Sequence, residues 1–176
     1  MTKKWTPDFM HSEVHFKAKH LMINNVTGTF AKWNAEMESN GDDFENAAVM
    51  FTADVASVST GMEMRDNHLK GEEFFNVEKH PELKFESTSM KKTSETHYKL
   101  EGNLTIRDVT KHISLSVEYG GQMVDFYGNT KAGFEINGII KRKEFGLAWD
   151  AVTEAGGIVV SDDIKLTLNI QMQLVK

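Results

Sequence analysis

The chain has 176 residues and a formal charge of −6, from 20 Lys and Arg against 26 Asp and Glu, with 40% apolar and 26% charged residues. This is the size of about one domain of ~150 residues and the composition of a soluble globular protein, so a single domain over 1–176 is expected. An acidic chain lacks the basic stripe that neutralises phosphates, no apolar run reaches the ~18 residues of a membrane span, and the absence of cysteine excludes disulfides, thiolate metal sites and a Cys nucleophile. Neither a nucleic-acid partner nor integral membrane association is expected. The opening MTKKWTPDFMHSEVHF has no apolar core behind its lysines, which predicts no secretory signal and a cytoplasmic location.

Period-two alternation dominates the chain. In a strand, residues of one parity share a face. Val14, Phe16 and Ala18 alternate with polar neighbours over 13–20. Val26, Gly28 and Phe30 share a face over 23–37 until Ala31, Trp33, Ala35 and Met37 take over the apolar role. That switch predicts a bulge or sharp bend. Val49, Phe51, Ala53 and Val55 alternate over 46–58, and Leu83 and Phe85 over 83–93. Leu100, Gly102, Leu104 and Ile106 follow over 97–107, then Ile113, Leu115, Val117 and Tyr119 over 111–120. Val124, Phe126, Ala132, Phe134 and Ile136 hold one parity over 123–138, through Gly128. Leu166, Leu168, Ile170, Met172 and Leu174 alternate over 157–175. Hairpins are expected at the NGDD segment around Gly41 and at Gly120–Gly121.

Between the third and fourth strands the pattern becomes helical. Thr60 and Glu63 have the spacing of a capping box, Met62, Asp66 and Leu69 have helical spacing, and Gly71 is a stop. A second turn carries Phe74 and Phe75 before Pro81. The fold class is therefore all-β, with eight antiparallel strands and a short helical crossover. A closed barrel and a two-sheet sandwich both satisfy this alternation.

Several segments resemble the YceI-like polyisoprenoid-binding family. They are Trp5 with His11–Ser12, Lys19–His20–Leu21, the VTGTF run, and Thr60 followed by Arg65, Asp66, His68 and Leu69. Further on come Phe74–Asn76, Pro81 with Phe85, GNLTIRDVT from Gly102 to Thr110, and Arg142 with Phe145–Gly146. The matches run in order from about residue 5 to 170, and their combination is specific where each piece alone is weak. The resemblance implies a lipocalin-like barrel that holds an isoprenoid lipid, a polyprenyl chain or a quinone tail, without catalysis, and makes a homodimer an expectation. Two positions depart from the family pattern. Asp108 stands where Gly is usual and Glu144 where Asp is frequent.

The interior follows from parity. Small Ala18, Ala53, Ala132, Gly102 and Gly128 among Phe16, Phe51, Phe85, Phe126 and Phe134 predict an elongated apolar gap, and an empty gap is costly. The expected ligand-binding set adds Phe30, Val55, Leu104, Ile106, Leu115, Val117, Leu168 and Ile170. Burial at ~0.8 kcal/mol per CH₂ gives a chain of ~40 carbons roughly 30 kcal/mol gross, beyond the ~18–21 kcal/mol ceiling of non-covalent binding. Ordering and imperfect packing must offset much of this, which predicts length-tolerant binding. Arg65, His68 and Arg142 are candidates for a polar head group at the mouth.

Other readings stay open at this stage. The apolar faces can simply pack on one another in a ligand-free stress or scaffold protein. His68 beside Asp66 can serve an enzyme acting on an isoprenoid-like substrate, or Arg65 and Asp66 can merely fasten the helix. His11, His15 and His20 lack ligand spacing on a strand, so no metal is expected, no catalytic residue is assigned, and no cofactor beyond a bound lipid or quinone is expected.

Overall fold

A computed structural model describes residues 2–41, 43–149 and 160–176. It contains strands β1 (Thr2–Pro7), β2 (Glu13–His20), β3 (Asn24–Phe30), β4 (Trp33–Asn40), β5 (Ala48–Asp54) and β6 (Val58–Ser59). Helix α1 (Glu63–Lys70) follows, then β7 (Glu82–Lys92), β8 (His97–Ile106), β9 (Val109–Val124), β10 (Thr130–Lys141) and β11 (Asp163–Leu174). The antiparallel ring runs β1-β4-β5-β7-β8-β9-β10-β11 and closes through β1 onto β11, so eight strands form a barrel. Closure removes the exposed edges that a sandwich would leave.

The first three of these eight staves are broken strands. β1 and β2 both pair with β11, at Trp5↔Leu174 and Phe16↔Leu166, with a 3₁₀ turn at Phe9–His11 between them. β3 and β4 are divided where the apolar parity changes: the chain bends at Ala31 and Lys32, whose N–H groups donate to Ser57. β5 and β6 are separated by the turn Val55–Ser57. The predicted strands at 23–37 and 46–58 are thus each split in two. β1 has one buried apolar residue, Trp5, and alternation does not reveal it.

The Gly120–Gly121 hairpin is corrected. β9 runs through both glycines, and the ladder to β10 slips there: Phe134 pairs with Tyr119 and Gly133 with Gly121. Gly121, at φ 109°, belongs to a bulge that bends the strand. The real turn spans 125–129, where the Asp125 carboxylate accepts the N–H groups of Tyr127 and Asn129. Phe126 and Gly128 therefore lie outside the barrel, and Phe126 is 100% exposed. A second slip at Thr88 lets Phe85 and Met90, of opposite parity, both face inward. The first residues of the predicted strand 157–175 lie outside the described residues.

Two turns hold a consecutive pair of L-residues at left-handed φ: Leu21 and Met22 at 54° and 60°, and Arg107 and Asp108 at 53° and 61°. Paired positive φ is the type I′ geometry that suits a right-twisted hairpin. Asp108 accommodates it and pairs with His80 at 3.2 Å, while the Arg107 guanidinium donates to Gly146 O.

The inward glycines do not leave gaps. A Cβ at Gly28 would stand 2.2 Å from the Phe16 ring, and one at Gly102 2.6 Å from that of Phe85. The rings lie across the glycines, the cross-strand packing that rescues glycine in curved sheets.

Candidate functional site

One end of the barrel is shut. Trp5, Phe44, Tyr98, Tyr119 and Phe134 form a cluster of tilted and T-shaped rings around Phe44, with centroids 5.0–6.5 Å apart. The indole Nε1 of Trp5 donates to Ser39 Oγ at 2.9 Å, and the Phe44 N–H donates to the Tyr98 hydroxyl at 3.3 Å. The indole N–H and the Tyr98 hydroxyl are thus hydrogen-bonded within the plug, which lowers the cost of burying them.

Above the plug lies a cavity of about 390 Å³. On β11, Ile164, Leu166, Leu168, Ile170 and Met172 all face it. Those eight residue steps span about 27 Å along the strand, or roughly 20 Å along the axis of a barrel tilted at ~40°. Phe16, Ala18, Phe30, Phe51, Phe85, Leu104, Ile106, Leu115, Val117, Phe134, Leu168 and Ile170 line it, as parity places them. Ala53, Val55 and Ala132 are buried but stand outside the cavity wall, and Phe126 is on the turn already described. Filling Ala53 or Ala132 would overpack the shell, whereas Ala18 and Ala35 look directly into the space.

Polar groups gather at the other end. Thr60, Arg65, His68 and Arg142 line the mouth together with Phe74, Phe75, Leu147 and Trp149. The expected capping box is replaced by a different knot. Asp66 Oδ1 accepts from Thr60 N at 2.8 Å and from Thr60 Oγ1 at 2.6 Å. Arg65 donates from Nε to Thr60 Oγ1 and from a terminal N–H to Thr60 O. Glu63 has no part in it, because the helix begins after Met62, two residues too late for Thr60 to cap it. Gly71 does end the helix. Arg65 and Asp66 thus fasten α1 by sharing Thr60.

His68 does not meet Asp66. Its Nε2 lies 2.6 Å from the Glu73 carboxylate, and its ring packs edge-on against Phe74 and Trp149 at 5.0 and 4.9 Å. Arg142 is 2% exposed and donates to the carbonyls of Ser161, Leu147, Trp149 and Val160 at 2.6–3.1 Å, with Phe74 against its guanidinium face. Among the described residues, these four carbonyls take up its N–H groups. This corrects its reading as a head-group ligand: it ties the two sides of the mouth together. Alternation missed Phe74 and Phe75, which sit on a turn, and Trp149, which sits in irregular chain, because parity has no meaning in either. The only signal for them was the paired aromatics and a lone tryptophan.

The match to known proteins follows the whole barrel. The family model described as a YceI-like domain matches residues 5–172. This chain belongs to the YceI-like family. A UPF0312 protein of Serratia proteamaculans is 38% identical over 161 residues, covering 92% of this chain and 80% of that protein. The YCEI protein of Campylobacter jejuni has a crystal structure that superposes with a TM-score of 0.74 at 34% identity, over 90% of each chain. A domain from Saccharophagus degradans, described as polyisoprenoid-binding, shares the fold at TM-score 0.68 and 14% identity, over 96% of this chain and 97% of that one. Among the described residues of this YceI-like chain, no helix is long and apolar enough to cross a membrane.

Proposed function

We propose that this YceI-like barrel binds and carries the apolar chain of an isoprenoid lipid, a polyprenyl chain or a quinone tail, and that it does so without chemistry on it. The observation that carries the reading is a blind cavity with a largely apolar wall, plugged by aromatics at one end and with most of its polar groups gathered at the other. A linear apolar chain with one polar end matches that polarity. The Saccharophagus degradans domain, which shares the fold, supports the same ligand class. Phe16, Phe51, Phe85 and Phe134 would hold the chain by contact alone, so methyl-branched chains of different length fit by sliding. Arg65, with donors left after Thr60, and His68 would meet head-group oxygens at the mouth.

Native mass spectrometry of protein purified without detergent tests this. A copurified mass of several hundred daltons or more, extractable as intact lipid, is expected. Ala35→Phe places a ring in the cavity and should abolish it while the fold persists. Repeated apo spectra with no uptake of added polyprenol or quinone would sink the proposal.

A further inference from the structure

We propose that the β2–β3 turn is a membrane-docking tip, which inserts Leu21, Met22 and Ile23 into the surface of an anionic bilayer. The purpose of docking, loading the cavity from lipid, rests on the carrier reading above; the docking itself is measured separately.

Three observations converge on this turn. Leu21, Met22 and Ile23 are 39, 57 and 84% exposed, so the barrel does not bury them. Leu21 and Met22 also stand at left-handed φ, where Asn-Gly would serve the turn with less strain. These side chains neither fill the core nor suit the backbone, which leaves an external apolar contact as their use.

The root of the tip is cationic. Lys17, Lys19 and Lys165 are exposed, and Lys17 lies directly opposite Lys165 across the β2–β11 ladder. Like charges in register weaken a strand pair, and an anionic surface relieves them. Among the described residues none of the three is paired with a carboxylate. Among the described acids on and beside these strands, Glu13 lies against His15 at 3.0 Å, Asp163 against Lys141, and Asp162 accepts the Lys143 N–H. Apolar side chains beyond a ring of lysines are the pattern of an interfacial anchor.

The tip is also in the right place. Ala18, His20 and Val26, on the two strands that carry it, line the cavity mouth. Another exposed apolar turn, with Phe126 and Tyr127, stands at the plugged end and is rooted on Asp125. It serves as the control.

The experiment is co-sedimentation of the full chain with phosphatidylcholine vesicles, with and without phosphatidylglycerol. The wild type should bind the phosphatidylglycerol vesicles at least about tenfold more tightly than phosphatidylcholine alone. Met22→Asn with Ile23→Ser should lose that binding, Lys17→Gln with Lys165→Gln should lose the anionic preference, and Phe126→Ser should keep both. Unchanged circular dichroism and Tm confirm that the variants fold. A wild type that stays in the supernatant, a tip variant that binds undiminished, or a loss confined to Phe126→Ser would overturn the proposal. So would a tip substitution that merely converts a dimer to a monomer in sedimentation equilibrium. Uptake of detergent-dispersed polyprenol separates the two ideas. A tip variant that takes it up but no longer binds vesicles supports docking; a wild type that binds vesicles through the tip yet never takes it up leaves docking standing and removes the carrier reading.

Discussion

Asp8 is the most strongly perturbed acid among the described residues. Burial pushes its carboxyl up, but Lys131 at 2.7 Å and His11 at 2.8 Å outweigh that and hold it down at about 2, against an ordinary 3.8. A carboxyl that is depressed in the folded state contributes stability above its unfolded value and loses it as pH falls through the folded one. Thermal stability should therefore drop between about pH 4 and pH 2, and Asp8→Asn should flatten that limb while lowering Tm at neutral pH. Backbone strain gives a prediction of opposite sign. Replacing Leu21 and Met22 by Asn-Gly removes two unfavourable left-handed side chains and should stabilise by about 1 kcal/mol, read as a higher urea midpoint at constant slope. The same change at Arg107 and Asp108 should gain less, because it discards the Arg107 bond to Gly146 and the Asp108 contact with His80.

Helix α1 is short, has no buried residue, and is held to the barrel through Thr60. Asp66→Ala removes two hydrogen bonds to Thr60, and each charge-assisted bond is worth ~1.5–3 kcal/mol at most. The expected result is faster amide exchange over 60–70 with the strands unaffected, since local opening need not involve the barrel. Within the sheet, Gly102→Ala would set a methyl 2.3 Å from Glu86 O and 2.6 Å from the Phe85 ring. Backbone cannot retreat as a side chain can, so this substitution should destabilise by about 2–3 kcal/mol in denaturant unfolding.

The barrel as a whole couples its interior to its stability. An apolar cavity this long forfeits contacts that a bound chain restores, and a ligand that binds only the folded state stabilises it by ~2.7 kcal/mol at a hundred times its Kd. For a domain of this size that is a rise in Tm of roughly 5–10 °C. Delipidated protein titrated with polyprenol should show it in calorimetry, and Ala35→Phe should not. A Tm indifferent to lipid in both would mean the space is not the binding site.

Much of this protein is written locally. Alternation along Leu166–Leu174 or Leu100–Ile106 names the inward face because every second side chain of a strand must share a side, and the parity switch at Phe30 marks a real bend. Charge, the absence of cysteine and the helical spacing before Pro81 are equally local. Closure is not. The meeting of β1 with β11 joins residues some 170 apart, and Trp5, alone in a polar hexapeptide, carries no periodic signal for it. Parity also fails wherever the chain turns, bulges or runs irregularly, which is why Phe126 points outward and why Trp149 and Phe74 reach the mouth unannounced. Whether an inward glycine leaves space depends on the ring on the next strand, and whether Arg142 can greet a ligand depends on which carbonyls surround it. Only the assembled barrel fixes such neighbours, because they are contacts between strands rather than properties of any one of them.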